Sequence, residues 1–276
     1  MPVKRDENGR RYVQAEVEVE GSPEEVWKAI ATGPGVSAWF VPTQVEERVG
    51  GTVTANFGPG MDSLATVTEW DPPHRFVADS RDDMGDDGPT IATEWIVEAK
   101  SGGVCVVRVV HSWFTEKDDW DSQFEGHTLG WIGFFRILSA YLKYFAGQSS
   151  AAFQVMGFAP EPATEAWSNL TKALGLPVTS LVGQQVQSSE GAPVLAGTVE
   201  HAGPAEWPEL LIRLDTPTTG IAHLFAMAMG GQVCLSVRFY LYGDQAEATV
   251  AREEPIWQAW IAEHFPMPIA DSETGA

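Results

Sequence analysis

Cysteine is nearly absent from this chain. Cys105 and Cys234 are the two in 276 residues, too few for a disulfide framework. Neither has a metal-ligand motif beside it, so each reads as a small buried packing residue. Basic residues are scarce too, 17 against 38 acidic, for a net charge of -21. Phosphate backbones and anionic lipid surfaces are held by clustered Lys and Arg, so the composition speaks against nucleic acid as a partner. Divided near residue 148, the halves carry -11 (24 acidic, 13 basic) and -10 (14 acidic, 4 basic), so neither is a basic module joined to an acidic one. No run approaches the roughly 20 apolar residues that span a bilayer; even 130–145 is interrupted by Arg136 and Lys143. The opening MPVKRDENGRRY has charges where a secretory signal needs an apolar stretch. A cytoplasmic protein without membrane insertion is the expectation.

Catalytic motifs are missing as well. There is no nucleophile elbow, oxyanion motif or carboxylate pair at catalytic spacing. Gly58-Pro59-Gly60 lacks the Lys-Ser or Lys-Thr that completes a phosphate loop. Asp82, Asp83, Asp86 and Asp87 surround Gly85 but lack the calcium-loop spacing and its terminal Glu, so they read as a solvated hairpin. No catalytic residue, cofactor or metal is expected.

Secondary-structure signals are abundant. Residues 12–20 alternate so that Val13, Ala15, Val17 and Val19 share one face, the pattern of a half-buried strand. Ser22-Pro23-Glu24-Glu25 then supplies an N-cap, a proline for the first helical turn and a glutamate that can close a capping box. Gly33-Pro34-Gly35 reads as the stop of that helix, and 36–40 as a further turn of helix presenting Trp39 and Phe40. Strand-like stretches at 43–48, 52–57, 63–70, 75–80, 90–99 and 104–114 alternate with turn-forming Gly, Pro and Asp. This predicts an antiparallel meander. From about 119 to 145, Leu129, Ile132, Phe135, Leu138, Leu142 and Phe145 recur every three or four residues, which predicts a long amphipathic helix across the sheet.

The same signals return in order after residue 148, evidence of a duplication. Pro162, Trp167 and Leu170 echo Pro23, Trp27 and Ile30. Thr198-Val199 to Pro204 repeats the spacing of Thr66-Val67 to Pro72, and Gly230-Gly231 before Cys234 and Arg238 echoes Gly102-Gly103 before Cys105 and Arg108. The expected organisation is two α+β domains, 1–148 and 149–276. In each, a curved antiparallel sheet holds a long C-terminal helix; the second is reduced, because the signals between Val178 and Gln187 are weak.

The first half resembles a known superfamily. The carriers are V-E-V-E-G-S-P-E-E-V-W-K-A-I (17–30), Ala38-Trp39-Phe40, A-T-V-T-E-W-D-P-P-H-R-F (65–76), and Gly126-His127 with Gly130-Trp131. In that order they resemble the SRPBCC, START-like helix-grip proteins, in particular the branch similar to activators of the heat-shock protein 90 ATPase. The resemblance implies a cavity between sheet and helix, and members that hold hydrophobic small molecules, catalyse aromatase or cyclase reactions, or act on a chaperone; fold alone does not choose among these.

The residues favour a non-catalytic binding protein for a hydrophobic small molecule. Trp39, Phe57, Trp95, Trp131 and Phe135 are the expected ligand-binding wall, since aromatic side chains suit a flat apolar guest. Phe40, Trp70, Phe76, Trp113, Phe114, Phe134 and Tyr141 add further rings. The alternatives are a co-chaperone-like activator docking a protein, and a cavity enzyme using His111 or His127 with Glu94 or Asp119 for acid–base work. A homodimer through exposed sheet edges is a further possibility.

Overall fold

The computed structural model describes residues 3–7, 9–58, 60–81, 89–113, 121–229 and 231–267, with side chains of 121–129 excepted. The acidic loop 82–87, Phe114, Asp119 and the His127 side chain lie outside the described residues. The chain divides into two units, Met1–Gly147 and Gln148–Ala276.

In the first unit, the alternating segment forms β2 (Arg11–Glu20), flanked by the short β1 (Lys4–Arg5). Helix α1 (Pro23–Ala31) starts as its sequence dictates: Ser22 N–H donates to Glu25 Oε2 at 2.8 Å, and Glu25 N–H donates to Ser22 Oγ at 3.3 Å. Gly33-Pro34-Gly35 is not merely a stop. It forms the first turn of α2 (Gly33–Ser37), whose N-cap Thr32 accepts the Gly35 N–H at 3.1 Å. A Cβ on Gly35 would lie 1.9 Å from the Lys28 carbonyl oxygen, so only glycine lets α2 turn back this tightly on α1.

Strands β3 (Thr43–Val45), β4 (Thr52–Asn56), β5 (Asp62–Asp71), β6 (Arg75–Ser80), β7 (Ile91–Ala99) and β8 (Val104–Trp113) follow, then α3 (Asp121–Tyr144). They make one antiparallel sheet in the order β1-β2-β8-β7-β6-β5-β4-β3. The period-2 pattern assigns its faces. Val13, Ala15, Trp95, Val107 and Val109 are buried on the face where α3 lies. The other face is laced by ion pairs: Arg108 to Glu16 at 3.0 Å and to Glu98 at 3.4 Å, Arg75 to Glu69 and Glu94, and Lys100 to Glu18.

The second unit runs β9 (Ser150–Ala159), α4 (Ala163–Leu174), β10 (Gln185–Gln187), β11 (Ala196–Ala202), β12 (Glu209–Thr216), β13 (Gly220–Met229), β14 (Gln232–Tyr242) and α5 (Ala246–His264). Its sheet order, β10-β11-β12-β13-β14-β9, is that of the first unit without the two edge strands. The copies agree in irregularities too. Each has a β-bulge just after its Thr-Val pair, between Val67 and Glu69 and between Val199 and His201. At each bulge a loop glycine donates to the valine carbonyl at 2.8 Å, Gly50 to Val67 and Gly183 to Val199. Bulges re-aim a strand, so their recurrence at matched positions reflects a shared template.

The cysteines stand on corresponding strands, β8 and β14, but on opposite faces. Cys105 lies on the α3 side with Val107 and Val109, whereas the core of the second unit takes Val233 and Leu235 and leaves Cys234 on the other side. One step along a strand exchanges faces.

Candidate ligand-binding site

Aromatic residues far apart in sequence converge on the α3 face of the first sheet. The α3 face of β7 presents Trp95, whose neighbours across the ladders are Phe76 of β6 and Val109 of β8. Helical spacing of α3 brings Trp131 and Phe135 over it, with ring centroids 5.2 and 6.2 Å from Trp95 and 5.8 Å from each other. Trp39, in the turn after α2, meets Trp95 edge-on at 6.1 Å. Phe57, just past β4, joins through Phe40, which lies 5.7 Å from Phe57 and is stacked on Trp131 at 5.1 Å. The five rings proposed from the sequence thus form one connected network.

Their exposures divide them into two sets. Trp39 is fully buried and its indole N–H donates to the Ala29 carbonyl at 2.9 Å; Trp95 and Phe135 are buried beside it. These form a closed wall. Phe57 is 47% exposed, and Phe40 and Trp131 are half-buried, so these three form a rim. Phe40, which ties the rim together, was among the further rings but not among the five expected lining residues. Its place beside Trp39 in a single turn was the available signal.

Two further tryptophans extend the wall. Trp27 of α1 meets Trp70 at 5.2 Å and Phe76 at 5.8 Å. Trp113 packs elsewhere, with Val13 and Ile91, and the Tyr141 hydroxyl accepts the Gly147 N–H at 3.4 Å.

His111 is held within this network through both ring nitrogens. Its Nε2 accepts the Trp131 indole N–H at 2.6 Å, and its Nδ1 lies 3.0 Å from Thr93 Oγ1. Glu94 follows Thr93 along β7 and so faces the opposite side of the sheet, where it pairs with Arg75; it is not positioned to assist this histidine. Both imidazole nitrogens are engaged in orienting the wall.

The interior of the second unit is filled differently. Leu170, Leu174, Leu195, Leu210, Ile212, Leu214, Leu224, Leu235 and Leu241 surround Phe153, Trp167, Phe239 and Trp257. On β13 the helix-facing positions are Ala222, Leu224 and Ala226, where β7 offers Trp95. Its described clefts lie at the surface, one of about 530 Å³ bordered by Phe158, Glu161, His264 and Phe265.

The ionisable groups near these interiors are shifted by burial. The Cys105 thiol is pushed up by burial and by the nearby Glu24, and Cys234 is raised by burial with Arg238 opposing. Tyr240 is pushed up to about 12, because burial disfavours its phenolate more than Arg238 stabilises it. Among the described residues no cluster of three His, Cys, Asp or Glu side chains could hold a metal ion, and no helix is long and apolar enough to cross a membrane.

Residues 20–143 match the family described as Activator of Hsp90 ATPase homolog 1-like protein, in line with the resemblance read from the sequence. The di-domain ARO/CYC BexL from the BE-7585A biosynthetic pathway is 14% identical, covering 94% of this chain and 100% of its own, with a TM-score of 0.45. Protein MLL2253 from Mesorhizobium loti is 19% identical over 49% of this chain and 98% of its own, TM-score 0.45. Aha1 from Colwellia psychrerythraea, solved as a dimer, is 20% identical over 48% of this chain and 96% of its own, TM-score 0.41. No curated protein matches the chain.

Proposed function

We propose, from a first unit that matches the Activator of Hsp90 ATPase homolog 1-like family, that this unit binds an apolar small molecule against its aromatic wall without transforming it. The observation that carries the reading is the graded exposure of the ring network: buried Trp39, Trp95 and Phe135 behind, half-open Phe40, Phe57 and Trp131 in front. A core needed only for closure has no reason to leave three linked rings at solvent. An apolar guest seated on them removes that surface from water, at about 25 cal/mol per Å².

The second unit is the structural member of the pair in this reading, since a mainly aliphatic set of side chains packs its interior around buried rings and the helix-facing positions of β13 are Ala222, Leu224 and Ala226. Catalysis is not required. His111 is committed to Trp131 and Thr93, so neither ring nitrogen is left to exchange a proton without breaking the wall.

Thermal unfolding in the presence of planar aromatic compounds tests the reading. A binder at one hundred times its Kd stabilises the folded protein by about 2.7 kcal/mol, and Trp131→Ala should abolish the response. If no compound in an aromatic and lipid panel raises the transition, or if Trp131→Ala responds as the wild type does, the site is elsewhere or absent.

A further inference from the structure

The hydrogen bonds around His111 have only one possible direction. An indole N–H donates and never accepts, so the 2.6 Å contact from Trp131 makes His111 Nε2 an acceptor without a proton. The neutral ring then carries its proton on Nδ1, which donates to Thr93 Oγ1 at 3.0 Å. That hydroxyl accepts from the histidine, and its own proton is left to point elsewhere. Among the described residues, nothing is seen to accept it.

Thr93 sits on the α3 face of β7, two residues from Trp95 and directly across from His111. It is half-buried, as are His111 and Trp131, so this part of the face is not sealed. The result is a chain running from Trp131 through His111 to Thr93, ending in a hydroxyl donor beside an aromatic wall. Each bond in such a chain polarises the next.

We infer that Thr93 is the polar anchor of the ligand site, and that the ligand is a planar aromatic molecule carrying a neutral acceptor oxygen, a ketone or quinone carbonyl, which takes the Thr93 hydroxyl proton. A neutral oxygen fits better than a carboxylate, because the half of the chain containing the site carries -11 and repels anions at long range. The inference rests on the aromatic-wall reading and adds the chemical class of guest that the wall selects.

Two tricyclic probes that differ only in a ketone oxygen, fluorene and 9-fluorenone, separate the two. The measurement is Kd by quenching of tryptophan fluorescence or by calorimetry, on the full chain and on Thr93→Val and Thr93→Ser. One net hydrogen bond gives fluorenone an advantage of about threefold to tenfold over fluorene in the wild type. Thr93→Ser keeps this advantage and Thr93→Val brings the ratio to about one. Equal binding of both probes to the wild type overturns the inference but leaves the wall intact, and this comparison needs no variant to fold. A fluorenone preference that survives in Thr93→Val also overturns it, since the oxygen is then held elsewhere. Failure of both probes to bind removes the aromatic-wall reading and this inference with it.

Discussion

Replacing Trp39 and Trp131 separately by alanine should yield two different phenotypes from one ring network. Trp39 is fully buried, contacts Phe40 and Trp95, and has its N–H satisfied by the Ala29 carbonyl. Truncating a buried tryptophan costs about 3–5 kcal/mol in lost transfer energy and cavity. Ala29 is in the last turn of α1, where carbonyls lack an intrahelical partner, so the lost hydrogen bond adds to this cost and about 4 kcal/mol or more is the expected total. This is a large part of the 5–15 kcal/mol that usually separates folded from unfolded states. Trp131 is half-buried, so its truncation should cost about half as much or less, while removing the ring that a ligand would cover. Urea unfolding followed by both circular dichroism and fluorescence gives the stability difference, and coincidence of the two probes shows whether a single transition applies. A Trp39→Ala cost below about 1 kcal/mol, or one no larger than that of Trp131→Ala, would refute the division into closed wall and open rim.

The capping box of α1 should respond to acid. The Glu25 carboxyl is held below its ordinary value chiefly by the Ser22 backbone N–H, then by the Ser22 side chain. Its contribution is therefore present above the ordinary carboxylate range and lost as pH falls through the lowered folded value; Glu25→Gln should flatten the acid limb of a stability–pH curve. Burial raises both thiols, so native protein at pH 7.5 should react slowly with a thiol reagent and release two equivalents promptly on unfolding. Tyr240, pushed up to about 12, should lag in a spectrophotometric titration of the five tyrosines. Because the unfolded phenol ionises first, near 10, its share of stability is lost as pH rises from there through 12.

Much of the first unit could be read from its pattern because its sheet has one buried and one wet face. Alternation in β2 and the box at Ser22 gave a strand and a helix start that the structure places within a residue. Strands β12 and β13 gave no such signal. Leu210, Leu211 and Ile212 are consecutive and all buried, as are Ile221, Ala222, His223 and Leu224; a strand buried on both faces loses its period and cannot be told from a buried helix by pattern. At Gly33-Pro34-Gly35 the stop of α1 and a further helical turn were legible, but that turn begins three residues earlier than read, at Gly33, for a local reason. Two glycines and a proline punctuate most helices, but here close approach to α1 and the Thr32 cap favour a helical turn.

The rings of the network could be nominated from the sequence because Trp95 on β7, Trp131 and Phe135 on one stripe of α3, and Trp39 and Phe57 beside their elements fall where the expected fold turns inward. Thr93 could not. A threonine in an alternating strand is ordinary, and only the direction of the Trp131 and His111 hydrogen bonds, set by three-dimensional contact between β7, β8 and α3, distinguishes it.

The most direct test of a ligand site in the first unit is a nitrogen-15 spectrum of the indole N–H groups during titration with 9-fluorenone. The chain has 11 tryptophans, and their indoles report separately once assigned by single substitutions. The account predicts that Trp95 and Trp131 shift with a common saturation curve while Trp167, Trp257 and Trp260 stay in place. Shifts confined to the second-unit tryptophans, or none at saturating probe, would contradict it.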